Sequence, residues 1–201
     1  QRRGALPLAL IRPLAESEFP EAAALVAAAL REDPGFAYIF PDDALRRRRL
    51  PAVFEAMLRN DALAGGRVSG AFEDGALVGI STVIPAGVDN PGIPDWIRHL
   101  PSLAWFFTEP AALLRALSLI HTVEERRTKD CDYLHILAVH PAVQGRGVGA
   151  ALINDALRSM RPLYLETFLH ANVAWYEARG FQFLMEVASP LRPTFWTLRR
   201  T

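Results

Sequence analysis

The stretch Leu137-Ala138-Val139-His140-Pro141-Ala142-Val143-Gln144-Gly145-Arg146-Gly147-Val148-Gly149-Ala150-Ala151-Leu152 decides how the rest of the chain is read. It begins as a buried strand. Pro141 blocks the strand's continuation, a turn with glycine at 145, 147 and 149 comes next, and an apolar run opens a helix. A strand feeding a glycine-rich turn into a helix N-terminus presents unpaired backbone N–H groups at the positive end of the helix dipole, which suits a phosphate. Glycine permits positive φ and close approach to the main chain. The same residues also read as a glycine-rich turn that holds nothing. The spacing G-x-x-x-x-G-K-[ST] is excluded, because no Lys follows. The spacing G-x-G-x-x-G is met only with Ala150 in its last place. That dinucleotide reading is weakened by the loop's late position. The nearest acidic residue, Glu166, also lies inside a strand.

Outward from the loop, Tyr133 to Val139 reads as the strand before it and Gly147 to Met160 as the helix after it. Leu163 to Thr167 is a strand, Ala171 to Ala178 a short helix, and Phe181 to Val187 and Thr194 to Leu198 two closing strands. On the N-terminal side, Leu8 to Arg12 is a short strand ended by Pro13. Ser17 and Pro20 introduce a helix from Glu21 to Arg31, and Asp33-Pro34-Gly35 breaks it. A second helix runs from Asp42 or Asp43 to about Leu63, with an apolar stripe at Leu50, Val53, Phe54, Met57 and Leu58, until Gly65-Gly66 stops it. Arg67 to Phe72 and Ala76 to Ile84 form a hairpin about Glu73-Asp74-Gly75. Between Asp89 and Asp130, Pro91, Gly92, Pro94, Pro101 and Pro110 divide the chain into short helical pieces rich in Trp96, Trp105, Phe106 and Phe107. The expectation is one mixed α/β (α+β) domain over residues 1–201, with helices packed on a sheet and an aromatic helical insert at about 89–130.

Composition narrows the function classes. Hydrophobic residues are 51% and charged residues 22%, the profile of a packed globular protein. Twenty-two basic side chains balance twenty-two acidic ones, so no global field draws the chain to nucleic acid or anionic lipid. No apolar run approaches the ~18–20 residues needed to span a bilayer, and Gln1-Arg2-Arg3-Gly4 is not followed by an apolar signal segment. The one cysteine, Cys131, excludes an intrachain disulfide and a multi-Cys metal site. No His/Asp/Glu grouping has metal-ligand spacing, so no metal is expected. A cytoplasmic protein is the expected setting. Arg46 to Arg49 reads as a solvated helix face.

Gln144-Gly145-Arg146-Gly147-Val148-Gly149 resembles the Q/R-x-x-G-x-G/A motif of the GNAT superfamily, the acyl-CoA-dependent N-acetyltransferases. Asn172-Val173-Ala174-Trp175-Tyr176-Glu177-Ala178-Arg179-Gly180-Phe181 resembles that family's Asn…Tyr-Glu-x-x-Gly-Phe landmark. Both stand in the family's order, separated by a helix and a strand. The resemblance implies a mostly antiparallel sheet flanked by helices on both faces, and acetyl-CoA as cosubstrate. It assigns the coenzyme's pyrophosphate to the backbone of Gln144, Gly145, Arg146, Gly147, Val148, Gly149 and Ala150. It assigns the pantetheine to the main chain of Leu137, Ala138 and Val139, with Asn172 contacting the same arm or the phosphates. Tyr133 to His140 is similar to the H-L-H-A-L-A-V-H strand of arylalkylamine N-acetyltransferases, with Tyr133 in place of the first His. Leu165-Glu166-Thr167 and the mid-chain insert resemble the puromycin N-acetyltransferase branch.

Acetyl transfer to an amine needs a neutral nitrogen, yet an amine of pKa ~10.4 is neutral in roughly one molecule per thousand at pH 7. A base to take the proton and an acid for the departing thiolate are therefore sought. On period-2 alternation, Tyr133, His135, Leu137 and Val139 share one face of their strand. His135, acting through a water, is the first candidate base, and Glu166 on the next strand is the second. His140 beside the loop reads as structural. By the resemblance Tyr176 is the acid, one helical turn after Asn172. Cys131 reads as a small apolar residue, so direct attack in a ternary complex is expected. The aromatics of the insert read as a wall for a small-molecule amine. Alternatively they bury the insert's own helices or form a homodimer contact. Two rival functions stay open: a coenzyme A-binding sensor without catalysis, and an acyltransferase using a longer acyl-CoA or a hydroxyl acceptor.

Overall fold

The computed structural model describes residues 9–88 and 108–201. In chain order these form β1 (Leu10–Pro13), α1 (Phe19–Ala29), α2 (Pro34–Ile39), α3 (Asp43–Leu63), β2 (Arg67–Glu73), β3 (Ala76–Ile84), α4 (Pro110–Glu124), β4 (Asp132–Val139), α5 (Val148–Ala156), β5 (Leu163–Thr167), α6 (Ala171–Glu177), β6 (Gln182–Ser189) and β7 (Arg192–Arg200). The strands make one seven-stranded sheet in the order β1-β2-β3-β4-β5-β7-β6. Every neighbouring pair is antiparallel except β4–β5.

Local chemistry accounts for most boundaries. Asp42 caps α3 by accepting the Leu45 N–H at 2.6 Å. The β2–β3 turn places Asp74 at φ 49° and Gly75 at φ 82°. Two positive-φ residues give the turn a twist that matches its flanking strands. Asp33-Pro34-Gly35 does not only end a helix. Asp33 accepts the Gly35 N–H at 2.9 Å, and Pro34 occupies the first turn of α2; proline there lacks an N–H that would be unpaired anyway. Pro13 lies within β1, an edge strand that tolerates a missing donor. The described C-terminal part of the insert holds one helix, α4, which Pro110 opens. Trp96, Trp105, Phe106 and Phe107 lie outside the described residues.

The sheet carries a core on each face. On one, α1, α2, α3 and α4 bury Phe19, Val26, Phe40, Leu50, Phe54 and Leu58 against Ile80 and Ile136. On the other, Ile153 of α5 and Val173 and Tyr176 of α6 pack with Leu134, Leu163, Leu165 and Leu198, while Val148 and Leu152 of α5 pack with Ala71 and Val78. Each fully buried side chain of this kind contributes about 1.5–3 kcal/mol. A Cβ at Gly79 of β3 would stand 2.8 Å from Val148 Cγ1 and 2.9 Å from Leu152 Cδ1, so α5 docks on bare backbone there. Arg46 departs from the solvated-face reading. It is 5% exposed, donates to the Phe40 carbonyl at 2.8 Å and pairs with Asp43 at 3.2 Å.

Strand β4 is irregular on both of its edges. Its parallel ladder to β5 has only two pairs, Asp132↔Leu163 and Tyr133↔Tyr164. Beyond Tyr133 the strands diverge, and the β4 edge facing β5 has no ladder partner among the described residues. On its other edge, Thr82 pairs with Ile136 but Val83 with Leu134, so His135 is an extra, bulged residue. The bulge breaks the alternation. Tyr133 and His135 lie on the α3 side, where their rings stand 5.1 Å apart. Leu137 and Val139 pack on the α5 side, against the clusters of Leu152 and Val148. The expectation that all four share a face is thereby corrected.

Candidate active site

Three local devices build the loop after β4. The His140 Nδ1 accepts the Ala142 N–H at 3.2 Å and caps a 3-10 turn at Pro141–Val143. The Gln144 amide donates to the Val139 carbonyl at 3.1 Å and folds the loop back onto the strand end. Gly145 and Gly147 take φ of 78° and 92°, and Gly147 is the N-cap of α5. The first helical bond runs from the Ala151 N–H to the Gly147 carbonyl at 3.0 Å. From Gly145 to Ala150, no N–H has an acceptor among the described residues. This exposed row of donors at a helix N-terminus fits a pyrophosphate. Arg146 is turned aside, 3.0 Å from the Glu73 carboxylate of the β2–β3 hairpin. Val148 is buried in the core, and Gly149 lies under the Trp175 ring. The open β4 edge leads from this loop past Val139, Ala138 and Leu137 toward His135. An extended arm bearing amides fits such an edge as an added strand.

At the far end, polar groups converge on the α3 side of the sheet. The His135 Nδ1 lies 2.9 Å from both carboxylate oxygens of Asp61, a 1%-exposed residue in the last turn of α3. Tyr133 donates its hydroxyl to Glu166 Oε1, while Glu166 Oε2 is buried without a partner. The Arg127 guanidinium sits 4.3 Å over the Tyr133 ring, donates to the Val88 carbonyl at 3.1 Å and lies 3.6 Å from Glu124. Burial pushes Glu166 up to about 7, against the Tyr133 hydrogen bond and the His135 charge, which favour the carboxylate. Burial opposes the His135 imidazolium, but Asp61 and, less directly, Glu166 outweigh it and the net direction is up. Burial and Glu166 raise the Tyr133 phenol well above its ordinary range.

Tyr176 occupies the other face. Its ring is 7% exposed and packs edge-on against Trp175 at 5.0 Å and Phe181 at 5.5 Å. Its hydroxyl makes no hydrogen bond to a described residue. Burial first, then Glu166, raises its phenol, which keeps it a proton donor. Asn172 donates its side-chain amide to Thr167 Oγ1 at 3.0 Å, tying α6 to the end of β5. His135 and Glu166 are thus brought together, and Tyr176 stands across the β4–β5 divergence from them. Burial pushes the Cys131 thiol up, away from the reactive thiolate. Among the described residues no group of His, Cys, Asp or Glu is arranged to hold a metal, and no helix is long and apolar enough to cross a membrane. Sequence reading found neither Asp61 nor Arg127.

The divergent β4–β5 pair, the donor-lined loop and the flanking helices define an acetyltransferase fold. Residues 115–183 match the family model described as acetyltransferase (GNAT) domain. Solved structures share the fold over nearly the full length. An acetyltransferase from Corynebacterium glutamicum, described as histone acetyltransferase HPA2 and related acetyltransferase, superposes with a TM-score of 0.69 at 18% identity, covering 96% of both chains. The PaiA N-acetyltransferase of Thermoplasma acidophilum, solved with coenzyme A, gives 0.59 at 12% identity over 96% of this chain and 98% of its own. A mosquito arylalkylamine N-acetyltransferase like 5b gives 0.53 at 17%, over 95% and 98%. Residues 115–183 are thus similar to a GNAT acetyltransferase domain, and the fold is shared with these solved acetyltransferases.

Proposed function

We propose that the chain is an acetyl-CoA-dependent N-acetyltransferase acting on a primary amine of a small molecule, by direct attack in a ternary complex. The observation that carries this reading is the run of unbonded N–H groups from Gly145 to Ala150, set at the end of an open β4 edge that leads to His135 and Glu166. The loop amides and the α5 dipole hold the pyrophosphate. The main chain of Leu137, Ala138 and Val139 takes the pantetheine, and Asn172 contributes its free carbonyl oxygen to the same arm. Acetyl-CoA supplies the acetyl group as an activated thioester. His135, through a water, takes the amine proton and Glu166 is the alternative base. Tyr176 gives its proton to the departing sulfur as the new C–N bond replaces C–S.

The reading extends to the whole chain as one domain in the cytoplasm. Support comes from a single sheet running from β1 to β7 and from one buried, unpaired cysteine. It also includes a homodimer. Strand β6 is an outer strand with Phe183, Leu184 and Met185 exposed, and sedimentation velocity decides the point. The arylalkylamine-like and puromycin-like branches remain part of the proposal for the acceptor. Free coenzyme A release with a panel of amines tests the function. Release that depends on one class of primary amine supports it. Binding of acetyl-CoA without release for any amine makes the chain a coenzyme A-binding module. Release with longer acyl-CoAs or alcohols alone makes it a different acyltransferase.

A further inference from the structure

Resting on the acetyltransferase reading, we infer that Asp61 is a positioning residue for the base: it fixes the proton of His135 on Nδ1 and leaves Nε2 as the nitrogen that accepts a proton. The geometry is specific. A carboxylate only accepts hydrogen bonds, and both Asp61 oxygens lie 2.9 Å from Nδ1. The proton between them therefore belongs to Nδ1. No described residue hydrogen-bonds Nε2. Two backbone features hold the pair. The β4 bulge turns His135 toward α3, out of the strand's alternation. At the other partner, the Asp61 carbonyl accepts the Gly66 N–H at 2.8 Å. A Cβ on residue 66 would stand 2.5 Å from that carbonyl oxygen, so glycine is required there and the last turn of α3 is locked.

A buried carboxylate is costly unless paired. Among the described residues the Asp61 carboxylate hydrogen-bonds to His135 alone, so the pair is a unit. The charged and titratable groups facing His135 are Asp61 from α3, Glu166 from β5, Arg127 from the segment after α4 and Tyr133 from β4 itself. Asp61 and Glu166 favour the imidazolium and Arg127 opposes it. Replacing the Asp61 carboxylate with an amide removes the largest charge favouring the imidazolium. It also removes the preference for an Nδ1 proton, since an amide can donate as well as accept.

The test has two independent readouts. The first is the ring nitrogen spectrum of His135 in the free protein, assigned by loss of its signals in His135→Gln. The expected result is an Nδ1–H tautomer in the neutral ring. In Asp61→Asn it becomes mixed or switches to Nε2–H, and the titration midpoint moves down. The second is kinetic. Asp61→Asn is expected to keep its acetyl-CoA affinity, to lose on the order of 10²-fold in the plateau of kcat, and to shift the acidic limb to lower pH. Asp61→Glu is expected to restore part of both. An Nε2–H tautomer in the wild type overturns the inference even if every Asp61 variant fails to fold. So does an unmoved tautomer, midpoint and limb in a folded Asp61→Asn. If no amine is acetylated by the wild type, the acetyltransferase reading fails. The spectrum then still decides whether Asp61 sets the His135 tautomer.

Discussion

At the scale of single residues, the proposed division of labour turns on which face of the sheet each group occupies. Tyr176 is a protonated phenol on one face, and His135 and Glu166 form a coupled pair on the other. Tyr176→Phe removes a hydroxyl that makes no hydrogen bond to a described residue, so packing and acetyl-CoA binding should survive. The expected loss is on the order of 10²-fold in kcat, read by steady-state kinetics. A full-rate Tyr176→Phe removes the acid from the scheme. The acidic limb of the pH–rate profile should follow the protonation of His135, with its midpoint set in part by the coupled Glu166. Glu166→Gln removes a charge that favours the imidazolium, so the limb should move to lower pH and persist. If that substitution abolishes the limb, the carboxylate is the base. The limb should vanish in His135→Ala.

At the scale of elements, most of the architecture is legible in the sequence because period and punctuation agree. The hairpin, α3, the strand–loop–helix and the closing strands all fall within a few residues of their sequence reading. Two failures have clear causes. Pro34 and Gly35 read as breakers, although Asp33 before them makes the same residues a helix start. The bulge at His135 is invisible in the sequence, because Tyr133-Leu134-His135-Ile136 contains no glycine and period-2 reasoning assumes an unbroken ladder. Asp61 lies 74 positions before His135, and no local pattern reports so distant a pairing. One sign is available: position 61 continues the stripe of Leu50, Phe54, Met57 and Leu58, and an acidic residue on an apolar stripe needs a buried partner. The docking of α5 gives an element-scale prediction. Gly79→Ala puts a Cβ against Val148 and Leu152, which should destabilise the fold by about 1–3 kcal/mol. At roughly 2–4 °C for each kcal/mol in a chain of this size, thermal unfolding should show the drop. An unchanged Tm would mean that α5 is not pressed on β3.

At the scale of the whole molecule, the buried polar cluster links stability to pH. Glu166 has a folded pKa of about 7, above the ordinary carboxylate value near 4.3, and His135 is also raised. Between the unfolded and folded values the folded chain binds more protons than the unfolded one, so stability should fall as pH rises. For Glu166 the loss runs from about pH 4.5 to about 7. For His135 it begins near the ordinary imidazole value and continues upward. Denaturant titrations across this range should show the decline in the wild type and a shallower slope in Glu166→Gln. Equal slopes would mean that Glu166 is not held in a desolvated site. The proposed function rests on the loop from Gly145 to Ala150 as the seat of acetyl-CoA, and calorimetry with acetyl-CoA interrogates that proposal without any acceptor. Gly147 sits at φ 92°, and a side chain there both strains the turn and obstructs the row of donors. The expected outcome is measurable binding to the wild type and at least about a tenfold loss, or 1.4 kcal/mol, in a folded Gly147→Val. Equal affinity in the two folded proteins would remove acetyl-CoA from this loop.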